Sequence, residues 1–86
     1  MIKKVRGGKV TTTVANQNII DREDGLNRIL KNVSVVNLGL NEIHVIVNGG
    51  DMLALDSNET LNLGDLEVDT LVIVERDSIV KYIGVE

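Results

Sequence analysis

From residue 33 onward the aliphatic residues come in short runs, at 33–36, 43–47, 52–55, 60–63, 71–74 and 79–83. They are rich in Val and Ile, whose branched Cβ suits a pleated surface. Between them lie turn-forming clusters: Asn37 to Asn41, the Asn-Gly-Gly-Asp stretch at 48–51, and residues 56–59, 64–65 and 76–78. Gly, Asn and Asp either tolerate positive φ or bond their own backbone, which is why such clusters reverse the chain. Strands recurring every 8–12 residues or so indicate a sandwich or small barrel. Parallel crossovers need a dozen or more residues, so these short links predict antiparallel neighbours. The expected fold class is all-β: a small antiparallel β-sandwich of jelly-roll or immunoglobulin-like type.

Several runs are apolar on both faces. Ile43, Val45 and Val47 share one side of their strand, while His44 and Ile46 share the other. Val72 and Val74 occupy the second side of residues 71–75. A sheet with one solvated face alternates apolar and polar residues, and these do not. Such strands are either interior or meet another subunit. Ile43, Val45, Ile46, Val47, Val72, Val74 and Tyr82 are therefore candidates for the core or for an oligomer face.

The N-terminal third is patterned differently. Residues 10–14 (Val-Thr-Thr-Thr-Val) predict an extended segment, and polar Asn16-Gln17-Asn18 follows. Residues 21–32 fit a short helix, with Asp21 as N-cap and Leu26, Ile29 and Leu30 on one face. Gly25 opposes that helix by about 1 kcal/mol. Gly7-Gly8 is the one candidate hinge. The expected organisation is a basic N-terminal arm, residues 1–9, on a single domain, residues 10–86.

Charge sharpens this division. Residues 1–9 contain Lys3, Lys4, Arg6 and Lys9 and no acid, while the rest of the chain carries a net charge of −8. Residues 51–77 alone carry −7. A basic arm beside an acidic body is the signature of an interaction tail, so the four cations are candidate docking residues. The acidic body repels phosphate, and with a single aromatic it has no base-stacking platform, so no specific nucleic-acid partner is expected.

Composition narrows the chemistry. There is no Cys, which removes disulfides, thiolate metal sites and cysteine nucleophiles together. A chain of 86 residues buries a small core, and this one has no Phe or Trp to enlarge it. Oligomerisation is the remaining common way to stabilise such a chain. No apolar run is long enough for a signal peptide or a membrane span, so a soluble protein made in the cytoplasm is expected, with no membrane partner. His44, the single histidine, has no Ser-centred motif and no second histidine beside it, so neither a catalytic nor a metal role is expected. Residues 56–59 and 65–69 offer hard oxygen ligands but do not fit the twelve-residue calcium loop. No enzyme activity and no cofactor are expected.

The turns and strands of residues 33–86 resemble those of small all-β virion proteins of tailed bacteriophages. The similarity rests on the Asn-Leu-Gly turn at 37–39, the Val-Asn-Gly turn at 47–49, the Glu-Thr-Leu-Asn-Leu run at 59–63 and the closing Val-Lys-Tyr-Ile-Gly at 80–84. It implies a homo-oligomer, trimer or dimer, acting as a capsid decoration, head-fibre or tail-associated component. Its location would be the virion, and its neighbours other virion proteins such as the major capsid protein. Two other classes remain open: a β module that binds protein or glycan through its loops, and a small cupin-like metal-dependent protein.

Overall fold

A computed structural model of the chain describes residues 4–20 and 29–86. Its eight strands are β1 (Val5–Thr11), β2 (Gln17–Asn18), β3 (Lys31–Asn37), β4 (Ile43–Val47), β5 (Met52–Leu55), β6 (Thr60–Asn62), β7 (Leu71–Ile73) and β8 (Ile79–Val85). They form two four-stranded antiparallel sheets, ordered β1-β8-β3-β6 and β2-β7-β4-β5.

The turn at Asn48 and Gly49 is the centre of this topology. Both residues have positive φ, 52° and 70°, and the Gly50 N–H donates to the Val47 carbonyl at 2.9 Å. Positive φ at both central residues is the turn geometry that Asn-Gly favours, and one extra residue enters before the ladder resumes with Ile46 opposite Met52. Around it nest four antiparallel pairs: β4 with β5, β3 with β6, β2 with β7 and β1 with β8. Two further pairings, β3 with β8 and β4 with β7, roll this long hairpin into two layers. A hairpin rolled in this way is a jelly roll, which decides between the two expected sandwich types.

Alternation fills the interior. Val33, Val35 and Asn37 of β3 point inward, as do Ile43 and Val45 of β4, Leu71 and Ile73 of β7 and Val80 of β8. With Leu30, Leu55 and Val68 they make a core of aliphatic side chains, against which Val47 and Tyr82 pack half-buried. Full burial of each such side chain contributes about 1.5–3 kcal/mol.

Three expectations change. The boundary placed between residues 9 and 10 is no break in the structure: β1 crosses it and pairs residue by residue with β8, from Val5 opposite Val85 to Thr11 opposite Ile79. The supposed hinge lies inside this ladder. A side chain at Gly7 would collide with the Tyr82 carbonyl, so glycine there permits close strand approach rather than swinging. Residues 21–28 of the expected helix lie outside the described residues. Its end is extended instead: Leu30 exchanges two backbone hydrogen bonds with Val68, and Lys31 opens β3. The β-branched run at 33–36 draws these residues into the sheet, through a bulge between Lys31 and Ser34. Finally, polar Gln17 and Asn18, given no strand by their composition, form β2.

Candidate functional site

The β2-β7-β4-β5 sheet carries aliphatic residues on its outer face as well as on its inner one. Period-two alternation sends Ile43, Val45, Leu71 and Ile73 inward and therefore Ile46 and Val72 outward. Register aligns Asn18, Val72, Ile46 and Met52 in one row across the four strands. In the next row Val74 donates its N–H to the His44 carbonyl, and Ala54 lies opposite His44 on the other side. Ile46, Val72 and Val74 are half-buried and Met52 is 55% exposed. Of the seven core or oligomer candidates, Ile43 and Val45 are core, Val47 and Tyr82 pack against it, and Ile46, Val72 and Val74 line this outer face.

The sheet edges differ in character. β5 is the edge beside β4, and its sequence Met-Leu-Ala-Leu carries no charge. Met52, Leu53 and Ala54 are all exposed. Edge strands are usually blunted by an internal charge, a bulge or shortness, and the four-residue β5 carries neither a charge nor a bulge. The opposite sheet ends in β1, where Arg6 and Lys9 lie in the strand and Lys4 precedes it. The other two edges, β2 and β6, have two and three residues.

The basic residues are therefore dispersed along a strand rather than gathered in an arm. Arg6 Nε donates to Glu86 Oε2 at 2.6 Å. Lys9 lies opposite Lys81 on the outer face of its sheet, a like-charged cross-strand pair. Lys4 is exposed, and Lys3 lies outside the described residues.

His44 is held by two carboxylates. Its Nδ1 lies 2.6 Å from Glu75 Oε2, its backbone N–H donates to Glu75 Oε1 at 2.7 Å, and its Nε2 lies 3.4 Å from Glu42 Oε1. The hydrogen bond to Glu75 lifts the imidazole pKa above its ordinary value, against the opposing pull of desolvation; both carboxylate charges add to the rise. Burial pushes Glu75 upward, but the bonds from the His44 ring and backbone hold it below the usual carboxylate value. The two groups form a hydrogen-bonded pair on the sheet surface, an ion pair whenever the imidazole is protonated. Among the described residues no group of three or more His, Asp and Glu side chains is arranged to hold a metal. Its contacts are with the Glu75 and Glu42 carboxylates and not with a hydroxyl nucleophile.

At one end of the sandwich the β3–β4 loop is braced from inside. Asn37 is fully buried; its Nδ2 donates to the carbonyls of Asn41 (2.8 Å) and Leu55 (3.1 Å), and its Oδ1 accepts from the Gly39 N–H (2.9 Å). The Ser57 hydroxyl donates to the Gly39 carbonyl. Across a groove of about 500 Å3, buried Thr12 accepts from the Ser78 N–H and donates to the Glu75 carbonyl, both at 2.8 Å. This scaffold holds Leu40 at 94% exposure. Asn37 looked like a turn residue in the sequence; its inward parity with Val33 and Val35 was the available signal. No protein-family model matches the chain, and no curated protein or solved structure is similar enough to count as a match.

Proposed function

We propose that this chain is a non-enzymatic assembly protein that builds a homo-oligomer, serving as a structural component of a tailed-phage virion of the capsid-decoration or head-fibre type. The observation that carries this is the β2-β7-β4-β5 sheet, with the aliphatic residues Ile46, Val72 and Val74 on its outer face and an uncharged edge strand. The virion setting is supported by the resemblance of residues 33–86 alone, and genes for portal, terminase and capsid beside this one would test it.

Size argues that more than the face takes part. Its strands of two, three, five and four residues, about 4.8 Å apart with about 3.4 Å per residue, present roughly 230 Å2. That is under half of the ~800 Å2 per partner found in standard interfaces. A stable oligomer therefore needs the edges as well. The test is a double substitution, Ile46→Lys with Val72→Lys, compared with the native chain by light scattering on the eluting peak. The native chain should run as an oligomer and the variant should shift toward monomer. An unchanged mass for the variant would remove the face from the assembly.

Leu40 supports a second role, a protein-binding loop module. A leucine held out by a fully hydrogen-bonded scaffold is a preorganised anchor. Loss of partner capture on Leu40→Asp, with oligomer mass unchanged, would favour it.

A further inference from the structure

We infer that two copies of this chain pair β5 to β5, antiparallel about a two-fold axis through Leu53, and so join their β2-β7-β4-β5 sheets into one of eight strands. This rests on the self-assembly proposed above and names its contact.

The direction of the backbone groups carries it. Val74 donates its N–H to the His44 carbonyl, so His44 and Ile46 turn their backbone groups toward β7, while Ile43 and Val45 turn theirs toward β5. Their partners Leu55 and Leu53 are thereby bonded, and the N–H and C=O of Met52 and Ala54 point out of the sheet edge. Among the described residues these four groups have no partner. The groups just beyond them are committed. The Gly50 N–H donates to the Val47 carbonyl at 2.9 Å. The Asp56 N–H donates to Glu59 Oε1 and the Asp56 carbonyl accepts from the Glu59 N–H, both at 3.0 Å.

One two-fold register satisfies the edge. With Met52 opposite Ala54 of the second copy, every free group of both copies pairs. With Met52 opposite its own copy, Ala54 meets the committed Gly50 N–H. With Ala54 opposite its own copy, Met52 meets Asp56, committed at both groups. The satisfied register sets Leu53 opposite Leu53 in a non-hydrogen-bonded pair, where Cα atoms approach to about 4.5 Å. Leu53 shares the inward side with buried Leu55, yet it is 40% exposed, because β5 ends its sheet. Its copy supplies the missing neighbour.

Charge permits this pairing and opposes that of the other long edge. Asp51 falls opposite Leu55 and Asp56 opposite Gly50, so no like charges are directly opposed. β1 paired with itself along its length would gather Lys9 and Lys81 of both copies on one face. The β5 register also continues the outer row of Val72, Ile46 and Met52 into Ala54, His44 and Val74 of the second copy. Two outer faces of roughly 230 Å2 become one of roughly 460 Å2. The same patch is used on both copies, so the contact closes on a dimer.

The experiment uses the intact chain, which has no cysteine of its own. Leu53→Cys sets one thiol beside its copy on the axis, so oxidised glutathione should convert the variant to a disulfide-linked dimer on a non-reducing gel. Val5→Cys, at a position even more exposed on the β1 edge, should stay monomeric on the same gel. Ala54→Pro removes an N–H that only the pairing uses, at an edge position of the kind that tolerates proline. Sedimentation should show its association weakened about tenfold or more, with the strand signal in circular dichroism kept. Should Ala54→Pro lose that signal, the comparison of the two cysteine variants decides alone. A native oligomer in which Leu53→Cys cross-links no better than Val5→Cys, or which a folded Ala54→Pro leaves at native strength, overturns the edge pairing and leaves self-assembly standing. A native chain that is monomeric throughout overturns the self-assembly itself.

Discussion

Replacing Asn37 by Ala removes the brace of the β3–β4 loop. The side chain is fully buried and makes three hydrogen bonds, two donated and one accepted. The Leu55 carbonyl it serves is the buried one; leaving such a group unpaired costs about 1–3 kcal/mol. The Asn41 carbonyl and Gly39 N–H are nearer solvent, and exchanging their bonds for water costs about 0.5–1.5 kcal/mol each. Together these give about 2–6 kcal/mol, against a total stability of about 5–15 kcal/mol for a domain. The melting temperature should fall by about 4–8 °C per kcal/mol, so by at least about 8 °C. Urea unfolding followed by circular dichroism measures this, with Asn41→Ala as control: its exposed side chain is not part of the brace, and its loss should cost under about 0.5 kcal/mol. An Asn37→Ala variant no less stable than the Asn41→Ala control would refute the brace.

The His44–Glu75 pair gives a signed pH dependence. The raised His44 pKa contributes stability that is fully present below its unfolded value, near 6.5, and is lost as pH rises through the folded value. The lowered Glu75 contributes above its unfolded value, near 4.5, and is lost as pH falls through the folded one. Both are in place between about pH 4.5 and 6.5, so the melting temperature should peak there and His44→Gln should flatten the decline on the alkaline side; an NMR titration of this single histidine giving an ordinary or lower pKa would contradict it. Leu71→Ala, at a fully buried site, should cost about 2–5 kcal/mol in urea unfolding, and a cost below about 1 kcal/mol would mean the two sheets are not packed around it. Deleting residues 1–9 takes most of β1 from its ladder with β8, so the melting temperature should drop sharply; an unchanged value would return these residues to the status of a free arm.

Period and turn chemistry are local, and what they control was legible. Each run from 33–36 to 79–83 became a strand within a residue or two of its expected limits, and Asn48-Gly49 made the hairpin turn. Pairing over long separations was not legible. Nothing in Val5 to Thr11, with its two glycines and its basic residues, announces a seven-residue ladder with β8, because the partner supplies the order. Leu30 shares helical spacing with Leu26, yet its backbone is claimed by Val68. The outward positions of Ile46, Val72 and Val74 followed from alternation alone. The partners of His44 did not, since Glu75 is brought to it only by the β4–β7 pairing.

Sedimentation equilibrium of the native chain over a wide concentration range tests self-assembly most directly. The expected result is a mass that is a whole multiple of 9.4 kDa at micromolar concentration, falling toward one unit only on dilution. A folded species of 9.4 kDa at every concentration and salt would contradict it.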